Sequence, residues 1–191
     1  MTTVYEHLES YAGEIVRGWT CDSNGDKLPF QVVQTAGGPY LGTTTFATLG
    51  LSNFQLPADK ASHASKLIRH ELLMIVPSDA IPPNLVGVIQ QIGLEAISRG
   101  AAYLRGELLG PRGELFEGHE PKALYASLPV YFPDDFGSVD ADGVGDVAFV
   151  WLIPLLDKEV NYLSSHGWPD FESSLVSEDP DLVGRLSTTS T

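Results

Sequence analysis

The chain has 191 residues, 43% hydrophobic and 19% charged, a balance that supports a packed interior and excludes disorder throughout. Its 25 Asp and Glu against 11 Lys and Arg give a formal net charge of −14, a field that repels phosphate backbones and anionic lipid and so argues against nucleic-acid and membrane-surface roles. The one cysteine, Cys21, excludes an internal disulfide and a cysteine-based zinc cluster.

The N-terminus, MTTVYEHLESYAGEIVRGW, has no basic start followed by an apolar run, and no stretch approaches the roughly 18 uninterrupted apolar residues of a membrane span, so a cytoplasmic protein is expected. Val4, Leu8, Tyr11 and Ile15 recur at helical spacing and predict an amphipathic helix over 3–17, with Thr2 or Thr3 as its N-cap. Asp22 to Asp26 is turn chemistry, and Phe30 to Gln34 reads as a short strand broken by Ala36-Gly37-Gly38-Pro39. The β-branched run Thr43 to Leu51 is a second strand. Leu67 to Val76 is a third, and its continuously apolar second half implies burial on both faces.

Pro82 and Pro83 open a long helix over 83–104, with Leu85, Val88, Ile89, Ile92, Ala96 and Ile97 at helical spacing. Gly93 and Gly100 lie within it, each weakening it by about 1 kcal/mol relative to Ala while allowing close packing against a sheet. Leu124 to Phe132 is a strand ended by Pro133, Asp134 to Gly145 an acidic loop, and Val147 to Ile153 the last strong strand. Short helices follow over 157–166, capped by Gly167, and over 168–176. Several strands follow one another without an intervening helix. This predicts one α/β (α+β) domain over 1–187, with a mixed, largely antiparallel sheet packed with helices, and a frayed tail at 188–191.

Tests for catalytic chemistry are negative. Gly50-Leu51-Ser52-Asn53-Phe54 starts like a nucleophile elbow but has Phe54 where the second small residue belongs. Asp140-Ala141-Asp142-Gly143 starts like a calcium loop, yet its twelfth position is Trp151 rather than a bidentate Glu. His7, His63, His70, His119 and His166 lack metal-ligand spacing, and Gly110-Pro111-Arg112-Gly113 lacks the lysine of a phosphate cradle. No catalytic residue, metal or cofactor is therefore assigned. Two alternatives stay open. One is a hydrolase-like site assembled in the fold from dispersed groups such as His70, Glu71, His119 and His166. The other is a regulatory scaffold that binds a peptide along an exposed sheet edge.

Four segments in order carry a family resemblance. They are Thr45 to Ser52 (TFATLGLS), Arg69 to Met74 (RHELLM), Phe149 to Leu155 (FVWLIPL), and Asp157 to Val160 (DKEV) continuing to Ser165-His166-Gly167-Trp168. Over residues 40–187 their order and spacing resemble the suppressor-of-fused family. The resemblance implies a mixed α/β fold that works by protein–protein binding, without known catalysis. Small bacterial members look like immunity proteins or antitoxins, each occluding a toxin's catalytic domain, and this short chain is closest to that kind. Thr48, Gly50, Ser52, Glu71, Pro154, Glu159 and His166 stand in the matching motifs. Fold maintenance is the favoured role for them, since a buried carboxylate such as Glu71 needs partners such as the Thr48 hydroxyl.

The charge is uneven. Residues 124–191 hold 12 acids and only two bases, Lys158 and Arg185. A basic protein partner, such as a toxin domain, suits that field. The expected interface is the acidic segment Asp134, Asp135, Asp140, Asp142 and Asp146, with Phe132 and Phe136 as apolar anchors.

Overall fold

The structure is a computed structural model and describes residues 2–58 and 66–186. His63 and the tail expected to fray lie outside the described residues. In chain order the elements are helix α1 (Val4–Ala12) and strands β1 (Ile15–Cys21), β2 (Lys27–Thr35), β3 (Thr43–Leu49), β4 (Leu56–Pro57) and β5 (Leu67–Pro77). Helix α2 (Leu85–Arg99) and strands β6 (Leu108–Leu109), β7 (Ala123–Ser127), β8 (Ser138–Ala141) and β9 (Gly145–Leu155) follow, then α3 (Asp157–His166) and α4 (Trp168–Glu178).

The strands form one sheet in the order β1-β2-β3-β5-β9-β7-β6, with β4 added on β5 and β8 on β9. Among the named strands only the central pair, β5 and β9, is parallel, from Arg69 opposite Val147 to Leu73 opposite Trp151; every other strand pair is antiparallel, and an isolated parallel bridge joins Thr2 to Ala141. The mixed, largely antiparallel sheet is therefore as expected. β9 pairs with β8 along its first half and with β7 along its second.

Alternation along the two central strands makes two cores. Leu73 and Ile75 of β5, with Phe149, Trp151 and Ile153 of β9, face Val4 and Leu8 of α1, Leu163 of α3 and Phe171 of α4. Leu72, Met74 and Val76, with Val150 and Leu152, face Leu85, Ile89, Ile92 and Ala96 of α2. Helices thus cover both faces, which is why these strands read as near-continuous apolar runs. Each fully buried Leu or Ile contributes about 1.5–3 kcal/mol.

Several boundaries differ from expectation for identifiable reasons. α1 ends at Ala12 rather than residue 17, because Gly13 adopts φ 84° and the chain turns at once into β1, where Ile15 pairs opposite Thr35. Its start is as expected: Thr3 Oγ1 accepts the Glu6 amide at 3.1 Å and Glu6 Oε2 accepts the Thr3 amide at 2.9 Å. α2 ends at Arg99 rather than 104, since Gly100 is left-handed and donates its amide to the carbonyls of Ala96 and Ile97. Gly93 does make the close approach: a Cβ there would lie 2.4 Å from Phe30 Cζ. β7 ends at Ser127 rather than 132, where Leu128 to Phe132 turn, with the Phe132 amide bonded to the Pro129 carbonyl at 2.9 Å. The acidic segment is not a loop: it is a 3-10 turn over Asp134–Gly137 followed by β8, which returns to β9 through a tight turn.

Candidate binding surface and its buried support

Glu71 is fully buried at the centre of β5 and is held by the turn that ends β3. Thr48 Oγ1 donates to its Oε2 at 2.6 Å. Its Oε1 accepts the Gly50 amide at 2.9 Å, the Ser52 amide at 3.1 Å and Ser52 Oγ at 2.7 Å. The turn can aim both amides at one oxygen because Gly50 sits at φ 101°, open to glycine at little cost. Thr48 Oγ1 also accepts the Leu72 amide at 2.8 Å, and Arg69 Nη1 donates to the Ser52 carbonyl at 2.7 Å. Burial pushes the Glu71 pKa up, while the bonds from Thr48, Ser52 and Gly50 pull the other way. Four sequence-selected residues, Thr48, Gly50, Ser52 and Glu71, thus form one network. Ser52 is 2% exposed and its hydroxyl is spent on Glu71, so it presents no nucleophile to solvent.

Pro154 and Glu159 meet through a residue that sequence reasoning did not single out. Arg185 donates from Nη1 to the Pro154 carbonyl at 2.6 Å and from Nη2 to Glu159. The ion pair is largely buried, with side-chain exposures of 6% and 13%, and burial lowers the Arg185 pKa. Glu159 uses its other oxygen to accept the Leu156 amide at 2.9 Å at the start of α3. The one usable signal was that Arg185 is one of two bases in an acidic third. His166 stands apart, at the end of α3, with Nδ1 3.1 Å from the Tyr162 carbonyl and its ring stacked on Tyr162 at 4.2 Å.

The dispersed histidines have separate neighbours. His70 is fully buried, with Nε2 accepting the Tyr103 amide at 3.4 Å, and burial together with Arg99 lowers its pKa to about 4. His7 lies under the 3-10 turn, 3.0 Å from the Phe136 carbonyl. Among the described residues no group of three or more His, Cys, Asp or Glu could hold a metal ion.

The acidic segment presents Asp134, Asp135, Asp140, Asp142 and Asp146 to solvent. Phe132 and Phe136 correct the expectation: they are 5% and 0% exposed, their rings tilted against each other at 4.1 Å, with Phe136 also against Phe149 at 4.8 Å. They fasten the turn to the first core and are not surface anchors. Large apolar side chains that do reach solvent stand beside them, Leu128 at 46% and Val130 at 63%. Across a shallow groove, Val176 of α4 is 83% exposed. Arg105 lines the groove, bonded by its guanidinium to both oxygens of Glu172, which also accepts the Tyr125 hydroxyl at 2.8 Å.

A mixed sheet with helices on both faces and a carboxylate pinned at its centre defines an α+β domain. The family model described as Suppressor of fused protein matches residues 26–187, and the chain belongs to that family. Solved structures share the fold. A suppressor-of-fused homologue from Neisseria gonorrhoeae is 18% identical with a TM-score of 0.71, over 93% of this chain and 88% of that one. A chain of the Sufu–Fu complex is 16% identical with a TM-score of 0.68, over 97% and 87%. Drosophila Suppressor of Fused is 16% identical with a TM-score of 0.64; 91% of this chain covers 46% of that one. None of the curated proteins matches the chain in sequence. Among the described residues no helix is long and apolar enough to cross a membrane.

Proposed function

We propose that this chain is a non-enzymatic, cytoplasmic protein-binding module, a single domain over 1–187, that acts as an immunity protein or antitoxin by occluding a basic toxin domain. The observation that carries the reading is the exposed row Asp134, Asp135, Asp140, Asp142 and Asp146 on a turn and hairpin, in the third of the chain with 12 acids and two bases. A preformed acidic surface steers a cationic partner and covers its phosphate-binding face without a conformational change. Membership of a family with a member solved as the Sufu–Fu complex supports a binding role. The test is co-expression with any toxin found encoded in the same gene neighbourhood. A stable complex and relief of toxicity are expected, and a toxin that remains free and active would refute the reading.

A second reading, a scaffold that adds a peptide strand to a sheet edge, is favoured by β1. That strand ends the sheet order and carries one charged residue, Arg17. Against it, register shifts between Ile15 and Arg17 and between Trp19 and Cys21 break the even row of donors and acceptors that an added strand needs.

A further inference from the structure

We propose that the groove between the 128–131 turn and α4 is the anchoring site for a partner segment carrying aliphatic side chains flanked by Lys or Arg. The groove encloses about 220 Å³; Ile153 and Leu182 are buried in its wall, and Leu128, Val130, Leu175 and Val176 stand around it. It does not end there. A neighbouring depression at Trp168 shares Arg105, Glu172 and Val176 with it, and another at Pro133 and Asp134 shares Leu128 and Val130. Together they make one trough from the start of α4 to the acidic turn. Trp168, at 41% exposure, joins Leu128, Val130 and Val176 among the large apolar groups left open to solvent along it. A run of that kind on one face of a chain is characteristic of an interaction site.

Charge selects the occupant. Arg105 is the one base that lines the trough among the described residues, and Glu172 neutralises it in a two-oxygen contact. Asp179 and Asp134 line the trough with no such partner, while Asp170, Glu178 and Asp181 stand exposed on α4 and the turn after it. Apolar walls with acidic margins fit aliphatic anchors between cationic flanks, and disfavour an acidic or wholly polar segment. This rests on the reading of the chain as a binder of cationic protein and adds where the apolar contacts fall.

The test titrates the full chain with three synthetic peptides of one length: leucine–lysine, serine–lysine and leucine–glutamate. The leucine–lysine peptide is expected to bind and the leucine–glutamate peptide not to. Val176→Asp and Val130→Asp should each weaken the leucine–lysine peptide by about tenfold, the worth of burying one aliphatic group. Added negative charge alone would strengthen it. Val16→Asp, at an exposed position on β1 at the opposite end of the sheet order from β7, should leave it unchanged. Serine–lysine binding equal to leucine–lysine, equal effects of Val176→Asp and Val16→Asp, or no leucine–lysine binding would each overturn the proposal. A cognate toxin held equally by wild type and Val176→Asp would also overturn the groove while leaving the immunity reading intact.

Discussion

Ser52 Oγ lies 2.7 Å from Glu71 Oε1, and that contact ties the turn after β3 to the middle of β5. The Ser52 and Gly50 amides reach the same oxygen, so Oε1 satisfies three donors while Oε2 takes a fourth from the Thr48 hydroxyl. The network explains why polar residues sit inside an apolar sheet: Glu71 substitutes for the ladder partner that the departing turn cannot supply.

Removing Glu71 should therefore cost more than its volume suggests. Glu71→Ala leaves the Gly50 and Ser52 amides and the Thr48 hydroxyl unpaired, and should destabilise the fold by about 3 kcal/mol or more. Glu71→Gln keeps an acceptor and should cost less. Urea unfolding midpoints give both values; equal midpoints for wild type and Glu71→Ala would show that the network does not support the fold.

Acid should weaken the fold through His70. Burial first, and Arg99 second, hold its folded pKa at about 4, below the ordinary 6.5. The unfolded chain therefore binds a proton that the native state refuses between these values. Stability is full above pH 6.5 and falls as pH drops toward 4, by about 3 kcal/mol from this group. Thermal melts across that window should show a shallower decline for His70→Gln than for wild type.

Two glycines of α2 should respond to alanine with opposite sign. At Gly93 the new methyl would meet the buried Phe30 ring at 2.4 Å, and overpacking of this kind costs about 1–3 kcal/mol. At Gly87 nothing lies within 4 Å of the new atom, so Gly87→Ala should stabilise by about 1 kcal/mol. Melting temperatures of the two single variants check the pair.

Much of this architecture was legible because β5 and β9 are buried on both faces and announce themselves as apolar runs, Leu72 to Val76 and Val147 to Leu155. The Glu71 network was partly legible, since a carboxylate between His70 and Leu72 in such a run demands donors. Ile15 misled the reading of α1: it continues the helical stripe, and only the positive φ of Gly13 shows that the chain has already turned. Asp and Gly hid β8, whose inward contribution is no more than Val139 and Ala141. Phe132 and Phe136 looked like surface anchors because composition around them is acidic, whereas Phe136 packs on Phe149 of β9 and on His7, which comes from the far N-terminal helix, and Phe132 packs on Phe136. Arg185 escaped notice for the same reason, as its carboxylate lies 26 residues earlier.

The central claim is that exposed carboxylates capture a cationic protein. Its most direct measurement is the association rate with the proposed basic toxin partner, followed across ionic strength for wild type and for the combined Asp134→Asn, Asp135→Asn, Asp140→Asn and Asp142→Asn variant. These positions are exposed, so stability should stay within about 0.5 kcal/mol. The variant should associate more slowly at low salt and show a flatter salt dependence. Identical rates and identical salt slopes for the two proteins would contradict the account.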